Sequence, residues 1–374
     1  MKVCIITFEY PPTKGGIGLA CQRIARTLSE ELEIHIITTN PGNPNIFYNQ
    51  EEMNTIEKEG NITIHRLGPS CGFLVNVPAQ ELQNMFDYIS ALQEKEQFDV
   101  FHGFRVHPSG YIATLLGKQF NKRSIVSIRG DDIAKDIFHQ GFFSIIRWTL
   151  ENAHTVTSVA TDILKRAQLI ADIKRPVTIL NSLNPRDFFY KEGIGSKQSL
   201  AIGTVGEIRR KKGFAYLLKA FAQLKKEHDP KLMIVGFFRP EEEKTYLDMI
   251  KEAGCESEII VTGKVEKKLI LNYIKNLDIA VFPALSEGCP NAVLETMYCK
   301  RPIIASRVGA MPEIINQDNG ILIDPRSPEQ IYESIKRLIE DPELKKKLAE
   351  NAKNTIKKNH KPSDEKKKWL EVYG

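Results

Sequence analysis

Glu287 and Glu295 lie within SEGCPNAVLETMYCKRPIIASRVGAMPEII, residues 286–315, where a Gly-Cys-Pro-Asn turn leads into an apolar helical stretch. A carboxylate is costly in an apolar core but accepts hydrogen bonds well from two neighbouring hydroxyls, and sugars and riboses offer such pairs. The run DIAVFPAL ends shortly before Ser286, and a helix is expected to start near Pro290 or Asn291. Glu287 then sits on the loop and Glu295 in the first turns. The backbone amides of Cys289 and of the residues after Pro290 would favour a phosphate. The plain structural alternative is that both glutamates are ordinary acids of a helix's first turn.

Two other loops have the composition for anion chemistry. In GTVGEIRRKKGFAYLLKAF, residues 203–221, a strand ends at Gly206 and a basic loop carries Arg209, Arg210, Lys211 and Lys212 into an amphipathic helix. A diphosphate placed there would meet Lys as a point charge and Arg as a planar fork; the alternative is a solvated basic loop. In TFEYPPTKGGIGLACQRIARTLSEEL, Gly15, Gly16 and Gly18 precede a helix with apolar residues at Leu19, Ile24, Ala25 and Leu28. Glycines at a helix N-terminus let a bulky anion approach free N–H groups, unless they serve only a tight turn. The spacing is not G-x-G-x-x-G, and the second strand closes on Thr39 and Asn40 without an acid. A nicotinamide dinucleotide site is therefore poorly supported.

These loops require strands to hold them, and short Val- and Ile-rich runs alternate with helical periods twice along the chain. The first set is VCIITF (3–8), EIHIITT (33–39), ITIHRL (62–67), DVFH (99–102), SIVSI (124–128) and TVTSV (155–159). The second is AIGTVG (201–206), LMIVG (232–236), EIIVT (258–262), DIAVFP (278–283), PIIAS (302–306) and GILI (320–323). This predicts an α/β chain of two doubly wound domains, with ligands beyond the carboxyl ends of the strands and the active site in a cleft between the domains. The expected boundaries are 1–183 for the N-terminal domain, 184–197 for a polar linker and 198–355 for the C-terminal domain.

Composition excludes several classes. At 374 residues the chain exceeds one hydrophobic core, and 42% hydrophobic with 26% charged residues is the balance of a globular protein without a membrane span. MKVCIITFEYPP breaks too early for a secretory signal, so a cytoplasmic protein is expected, and the N-I-T at Asn61 is then a chance sequon. Cysteines at 4, 21, 71, 255, 289 and 299 show no zinc spacing and are expected as reduced thiols. The net charge of +5 comes largely from a Lys-rich C-terminal quarter. It is expected to form a solvated helix face rather than a nucleic-acid site. With the aromatic GFFSIIRWTL at 141–150 it also raises weak peripheral attachment to the inner face of an anionic membrane, against the alternative that this stretch packs inside its domain.

PPTKGGIG, FDVFHGFRVHPSG, NSLNPRDF, VGEIRRKKG, VTGKVEKKLILNYIKNLDIAVFP and the E-x7-E of SEGCPNAVLETMYCKRPIIASRVGAMPEI occur in one order, nearly from end to end. Together they resemble the family-4-type retaining glycosyltransferases of the GT-B fold. The E-x7-E match is the specific one. The resemblance implies transfer of a sugar from a nucleoside-diphosphate donor to an acceptor hydroxyl, a sugar or lipid-linked sugar, with retention, in surface polysaccharide or glycolipid synthesis. It places Glu287 by the transferred sugar and Glu295 on the ribose hydroxyls. Lys212 meets the diphosphate, Gly15 and Gly16 approach it, and Gly288, Cys289, Pro290, Asn291 and Ala292 line the donor. The segment 356–374 is implied to return as a helix to the N-terminal domain, and the two domains to close over the donor. No cofactor and no essential metal are expected, since no D-x-D occurs in the chain.

Two departures stand out. The family often has an Arg five residues before the Lys, where this chain has Glu207, so the second phosphate cation falls to Arg209 or Arg210. The family's His-Gly-x-Asp reads Arg129-Gly130-Asp131-Asp132; Arg129 then contacts the sugar or phosphate, or instead pairs with Asp132. His102 and His107 are candidates for the acceptor side, with a purely structural role as the alternative. A sugar-nucleotide epimerase or hydrolase of the same fold is the alternative function.

Overall fold

The computed structural model describes residues 1–12, 15–40, 54–68, 77–189 and 200–374. The chain divides into two units, Met1–Ile179 with Glu365–Gly374, and Leu180–Asp364. The expected division at 184 thus falls a few residues earlier in the contacts, and the return to the first unit comes at Glu365 rather than 356.

The first unit is built on strands β1 (Lys2–Ile6), β2 (Glu33–Thr39), β3 (Thr55–Glu59), β4 (Ile62–Leu67), β5 (Val100–Phe104), β6 (Arg123–Ile128), β7 (Thr155–Ser158) and β8 (Pro176–Thr178). Their order across the sheet is β3-β4-β2-β1-β5-β6-β7-β8, and every pairing is parallel except β3 with β4. Successive side chains of a strand face opposite sides, which explains why β1 reads as a continuous apolar run. Val3 and Ile5 pack with Cys21, Ile24, Ala25 and Leu28 of the helix Gly16–Leu28, while Cys4 and Ile6 pack with Met85 and Ile89 of the helix Ala79–Glu96. Leu19, expected on the apolar face of the first helix, is 41% exposed instead.

The C-terminal helix Pro362–Tyr373 belongs to this unit from Glu365 onward. Trp369, Val372 and Tyr373 bury against Ile5, Val100 and Phe104 in one core. Around them, Arg23 ion-pairs with Glu365, and Lys366 bonds Glu30 at 2.7 Å and Glu31 at 2.8 Å.

The second unit holds β9 (Leu200–Ile208), β10 (Pro230–Phe238), β11 (Ile259–Val261), β12 (Ile279–Phe282), β13 (Ile303–Ser306) and β14 (Ile321–Ile323). The order is β11-β10-β9-β12-β13-β14 with parallel pairing throughout, so successive strands run outward from β9 and then restart on its other side at β12. Such a reversal leaves a crevice at the carboxyl ends of the two central strands, where doubly wound domains bind ligands.

The expected strands are all present with shifted ends, and the sequence pattern overlooked β3 and β8. TIEKE is exposed at every position, an edge strand held by backbone pairing to β4, and PVT is three residues long and starts with proline. Of the expected linker, the residues at 190–197 lie outside the described ones. Its beginning is tied into the second unit, where Phe189 N–H donates to the Lys268 carbonyl at 2.8 Å and the Asn272 amide donates to the Phe189 carbonyl at 2.8 Å.

Candidate functional site

In the second unit the loops after β9 and β12 flank the strand-order reversal. The β9 loop makes a tight turn, Arg210–Lys212, and ends at Gly213 with φ +71°. A Cβ at Gly213 would lie 1.9 Å from the Pro283 carbonyl oxygen, so only glycine lets this loop lie against the end of β12. Leu285 N–H donates to the Lys211 carbonyl at 2.8 Å and completes the junction. Through it, Lys212 Nζ reaches Glu287 Oε1 at 2.5 Å, a pair largely shielded from solvent. The basic loop is therefore not merely solvated: its last lysine meets the first glutamate of the E-x7-E.

The helix carrying the second glutamate runs Asn291–Tyr298, with Pro290 at its N-cap, no side chain capping it and no acid in its first turn. Its first amides are thus presented by the loop from Gly288 through Cys289 and Pro290 to Asn291 and Ala292. Neither glutamate is an ordinary first-turn acid: Glu287 precedes the helix, and Glu295 is 1% exposed, one turn further in. The Lys267 ammonium, from the turn Lys267–Leu269, donates to Glu295 Oε1 and lies 5.4 Å from the Phe188 ring centroid.

The loop backbone is fixed from two sides. Gly309, at φ +54°, packs so closely that a Cβ would sit 2.1 Å from the Glu287 carbonyl oxygen, and Ala310 N–H donates to the Gly288 carbonyl at 2.9 Å. Asn181, buried, donates from its amide to the Cys289 carbonyl at 2.8 Å and to Asn291 Oδ1 at 3.1 Å. His360 in turn bonds the Asn181 carbonyl at 2.9 Å.

The two candidate arginines have different partners. Arg209 turns toward Glu207 at 3.9 Å, whereas Arg210 is exposed and its backbone N–H donates to Glu242 at 2.6 Å. Glu207 also holds Arg239, at the end of β10, at 3.3 Å. The acid that replaces the family's arginine therefore gathers two cations beside the β9 loop. Arg239 was missed because β10 ends thirty residues later in sequence, and only the register Phe238↔Ile208 brings it alongside.

In the first unit, the loop after β1 leads to the helix Gly16–Leu28, whose N-cap Gly15 provides no side-chain bond. A Cβ on Gly15 would meet the Glu9 carboxylate, one on Gly18 would press on the Glu9 and Tyr10 backbone, and one on Gly16 meets nothing within 4 Å. Gly18 thus serves helix packing, and Gly16 has room beside it. Arg129 follows β6, and its guanidinium lies 5.4 Å from the Phe104 ring centroid. Asp132 receives the Arg129 backbone N–H at 2.6 Å and the Val106 N–H at 3.0 Å, while its side-chain cation is Arg105 at 3.4 Å. The alternative that pairs the Arg129 guanidinium with Asp132 is corrected accordingly. Burial alone would lower the Arg105 guanidinium, but Asp132 and Asp136 hold it above its ordinary value.

His102 is also corrected: expected at a strand end facing the cleft as an acceptor-side residue, it lies within β5, fully buried. Its Nδ1 bonds the Tyr373 hydroxyl at 2.6 Å and its Nε2 bonds the Ser127 hydroxyl at 2.7 Å, leaving no ring nitrogen for an acceptor. His107 lies beyond β5, buried against the Phe142 ring at 4.5 Å between centroids. Burial pushes His102 down to about 3, with Arg129 adding to it, and His107 down to about 4, with Arg105 adding to it. Burial likewise brings His65 down to about 4. Each ring stays neutral in the folded chain while its unfolded counterpart gains a proton below the ordinary histidine value. Their stabilisation is therefore present above about pH 6.5 and is lost as pH falls toward 4, by up to about 1.4 kcal/mol per pH unit for each ring. Thermal unfolding across pH 7 to 4.5 is expected to show this slope, and His102→Gln to flatten it; an equal slope in both proteins would contradict the assignment for His102.

Among the described residues, Glu33, His35 and Glu96 form a grouping that could hold a metal. It sits at the start of β2, the opposite end from the loops above, and Lys2 already bonds Glu33 at 3.1 Å and Glu96 at 2.9 Å. Cys4, Cys21, Cys255, Cys289 and Cys299 are buried with no disulfide joining them, and Cys71 lies outside the described residues. The segment GFFSIIRWTL is largely the helix Phe142–Asn152, which buries Ile146 and Leu150 and leaves Phe143 42% exposed. No helix among the described residues is long and apolar enough to cross a membrane.

Residues 187–355 match the family described as glycosyl transferases group 1, and residues 18–160 match glycosyl transferase 4-like. The chain is 23% identical to the N-acetyl-alpha-D-glucosaminyl L-malate synthase of Bacillus anthracis over 92% of its own length and 90% of the relative's. In fold it resembles the sucrose-phosphate synthase of Thermosynechococcus elongatus, with a TM-score of 0.83 at 18% identity, covering 100% of this chain and 98% of that one. It also resembles Anabaena HepE in complex with UDP and glucose, with a TM-score of 0.80 at 15% identity over 100% and 99% of the two chains. By its two α/β units and these matches, the chain belongs to the group 1, family-4-type glycosyltransferases of the GT-B fold and is a glycosyltransferase.

Proposed function

We propose that this glycosyltransferase takes its sugar from a nucleoside-diphosphate donor and passes it, with retention, to an acceptor hydroxyl. The observation that carries the proposal is the arrangement at the strand-order reversal of the second unit. There Lys212 and Glu287 pair beside an uncapped helix N-terminus, and a second carboxylate, Glu295, is buried one turn along the same helix. The leaving diphosphate gathers negative charge as the glycosidic bond breaks, and Lys212 with the helix amides would stabilise it electrostatically. Arg209, Arg210 and Arg239 are the further cations of this region. Glu287 stands near the sugar, and Glu295 accepts from the ribose hydroxyls. In the first unit, Gly15, Gly16 and Arg129 are the donor-facing candidates, and His107 remains the acceptor-side one.

Retention rests on the family resemblance. The crystallised HepE complex with UDP and glucose supports a nucleotide sugar as donor. No essential metal is part of the proposal, in keeping with the absence of D-x-D from the sequence. Polysaccharide or glycolipid synthesis is the proposed setting, supported by resemblance to the putative teichuronic acid biosynthesis glycosyltransferase of Bacillus subtilis. Peripheral attachment to an anionic membrane is a finer proposal, supported by Phe138 and Phe143, 80% and 42% exposed.

A thermal-shift panel of UDP-, GDP-, ADP- and CMP-linked sugars tests the donor class. Stabilisation by one nucleoside-diphosphate sugar over the others is the expected result. No shift with any of them, or a shift with the CMP-linked sugar alone, would overturn the reading.

A further inference from the structure

Glu295 poses a physical problem that the donor reading leaves open. Its carboxylate is almost wholly buried on the helix Asn291–Tyr298, where an ionised acid without a partner is strongly disfavoured. A neutral acid would make a poor ribose anchor, because protonation converts one acceptor site into a donor. Lys267 supplies the missing charge. It reaches the carboxylate from the turn after β11, and its ammonium lies over the Phe188 ring and donates to Oε1. The cation is at the mouth, with its side chain 45% exposed, and the anion is inside, with its side chain 2% exposed.

We propose that Lys267 is the positioning residue for ribose recognition: it keeps Glu295 charged and aimed, and leaves the carboxylate's remaining lone pairs for the 2′- and 3′-hydroxyls of the donor. The inference rests on the assignment of Glu295 to the ribose. A carboxylate has about four lone-pair sites, so one ammonium and two hydroxyls can be accommodated together. Lys267 therefore need not leave when the donor arrives. It acts through Glu295 and not on the diphosphate, which belongs to Lys212 and the helix amides. VEKKLI carries no local signal of this role, because only the fold brings Lys267 to a carboxylate 28 residues further along the chain.

The test is calorimetric titration of the full chain with a nucleoside diphosphate and its 2′-deoxy counterpart, the base being the one preferred by wild type. Lys267→Met is expected to weaken binding of the ribonucleotide roughly tenfold, the scale of a lost hydrogen bond to a charged group. It should also compress the preference for ribose over deoxyribose, leave turnover at saturating donor nearly unchanged, and be rescued in good part by Lys267→Arg. In a Glu295→Gln background the same change should add almost nothing, since the two residues act as a unit. A general structural role would weaken both nucleotides alike and leave the preference intact, which would overturn the proposal. So would additive losses in the double variant, or wild-type binding by Lys267→Met. Failure of wild type to bind any nucleoside diphosphate would overturn the donor reading itself and Lys267's role with it.

Discussion

Lys212→Ala is expected to lower turnover by roughly 10²-fold or more, the scale seen when one preorganised charge-stabilising donor is lost. The lysine stands 2.5 Å from Glu287 at the carboxyl end of the sheet's central strands, held there by the Gly213 turn against Pro283. Its charge matters most when the diphosphate departs, so the loss should fall mainly on kcat, with a smaller rise in the donor KM. Lys212→Arg keeps a cation but not its position, and should recover only part of the rate. Steady-state kinetics with a saturating acceptor would check this. Turnover at the wild-type level would move the phosphate cation to Arg209, Arg210 or Arg239, and single alanine variants of those three would then find it.

Glu295→Ala should show the opposite division. The ribose is held alike in ground state and transition state, so its anchor contributes to binding throughout the reaction. Losing two hydrogen bonds to a charged group is expected to raise the donor KM by about 10- to 100-fold, with kcat changed much less. The partner left behind, Lys267, is nearly half exposed and can be solvated, so the fold should survive the change. An unchanged KM would count against the ribose assignment.

How far these features could be read without coordinates depends on how local they are. The apolar runs of β1, β9 and β12 announce buried parallel strands, because helices cover both faces and no alternation survives. Glu287 and Lys212 were legible from their motifs, but their contact was not: it follows from the neighbouring places of β9 and β12 in the sheet. His102 misled because an imidazole in VFHGF looks the same whether it faces water or packs under a returning C-terminal helix. Tyr373 and Trp369, at the other end of the chain, decide the matter. Asp132 illustrates the same limit: its cation is Arg105, on the loop after the neighbouring strand, and not the adjacent Arg129. The exposed strand β3 has no apolar face for a pattern to reveal, and it is held to β4 by backbone pairing and by the ion pair of Glu57 with Arg66 at 2.8 Å.

The most direct test of the central claim is a crystal structure of the chain with a nucleoside diphosphate bound. The ribose hydroxyls are expected on Glu295, with Lys267 still paired to it, and the diphosphate at the N-terminus of the helix Asn291–Tyr298 within reach of the Lys212 ammonium. A nucleotide bound elsewhere, with the Lys212–Glu287 and Lys267–Glu295 pairs unchanged and neither glutamate touching it, would contradict the account.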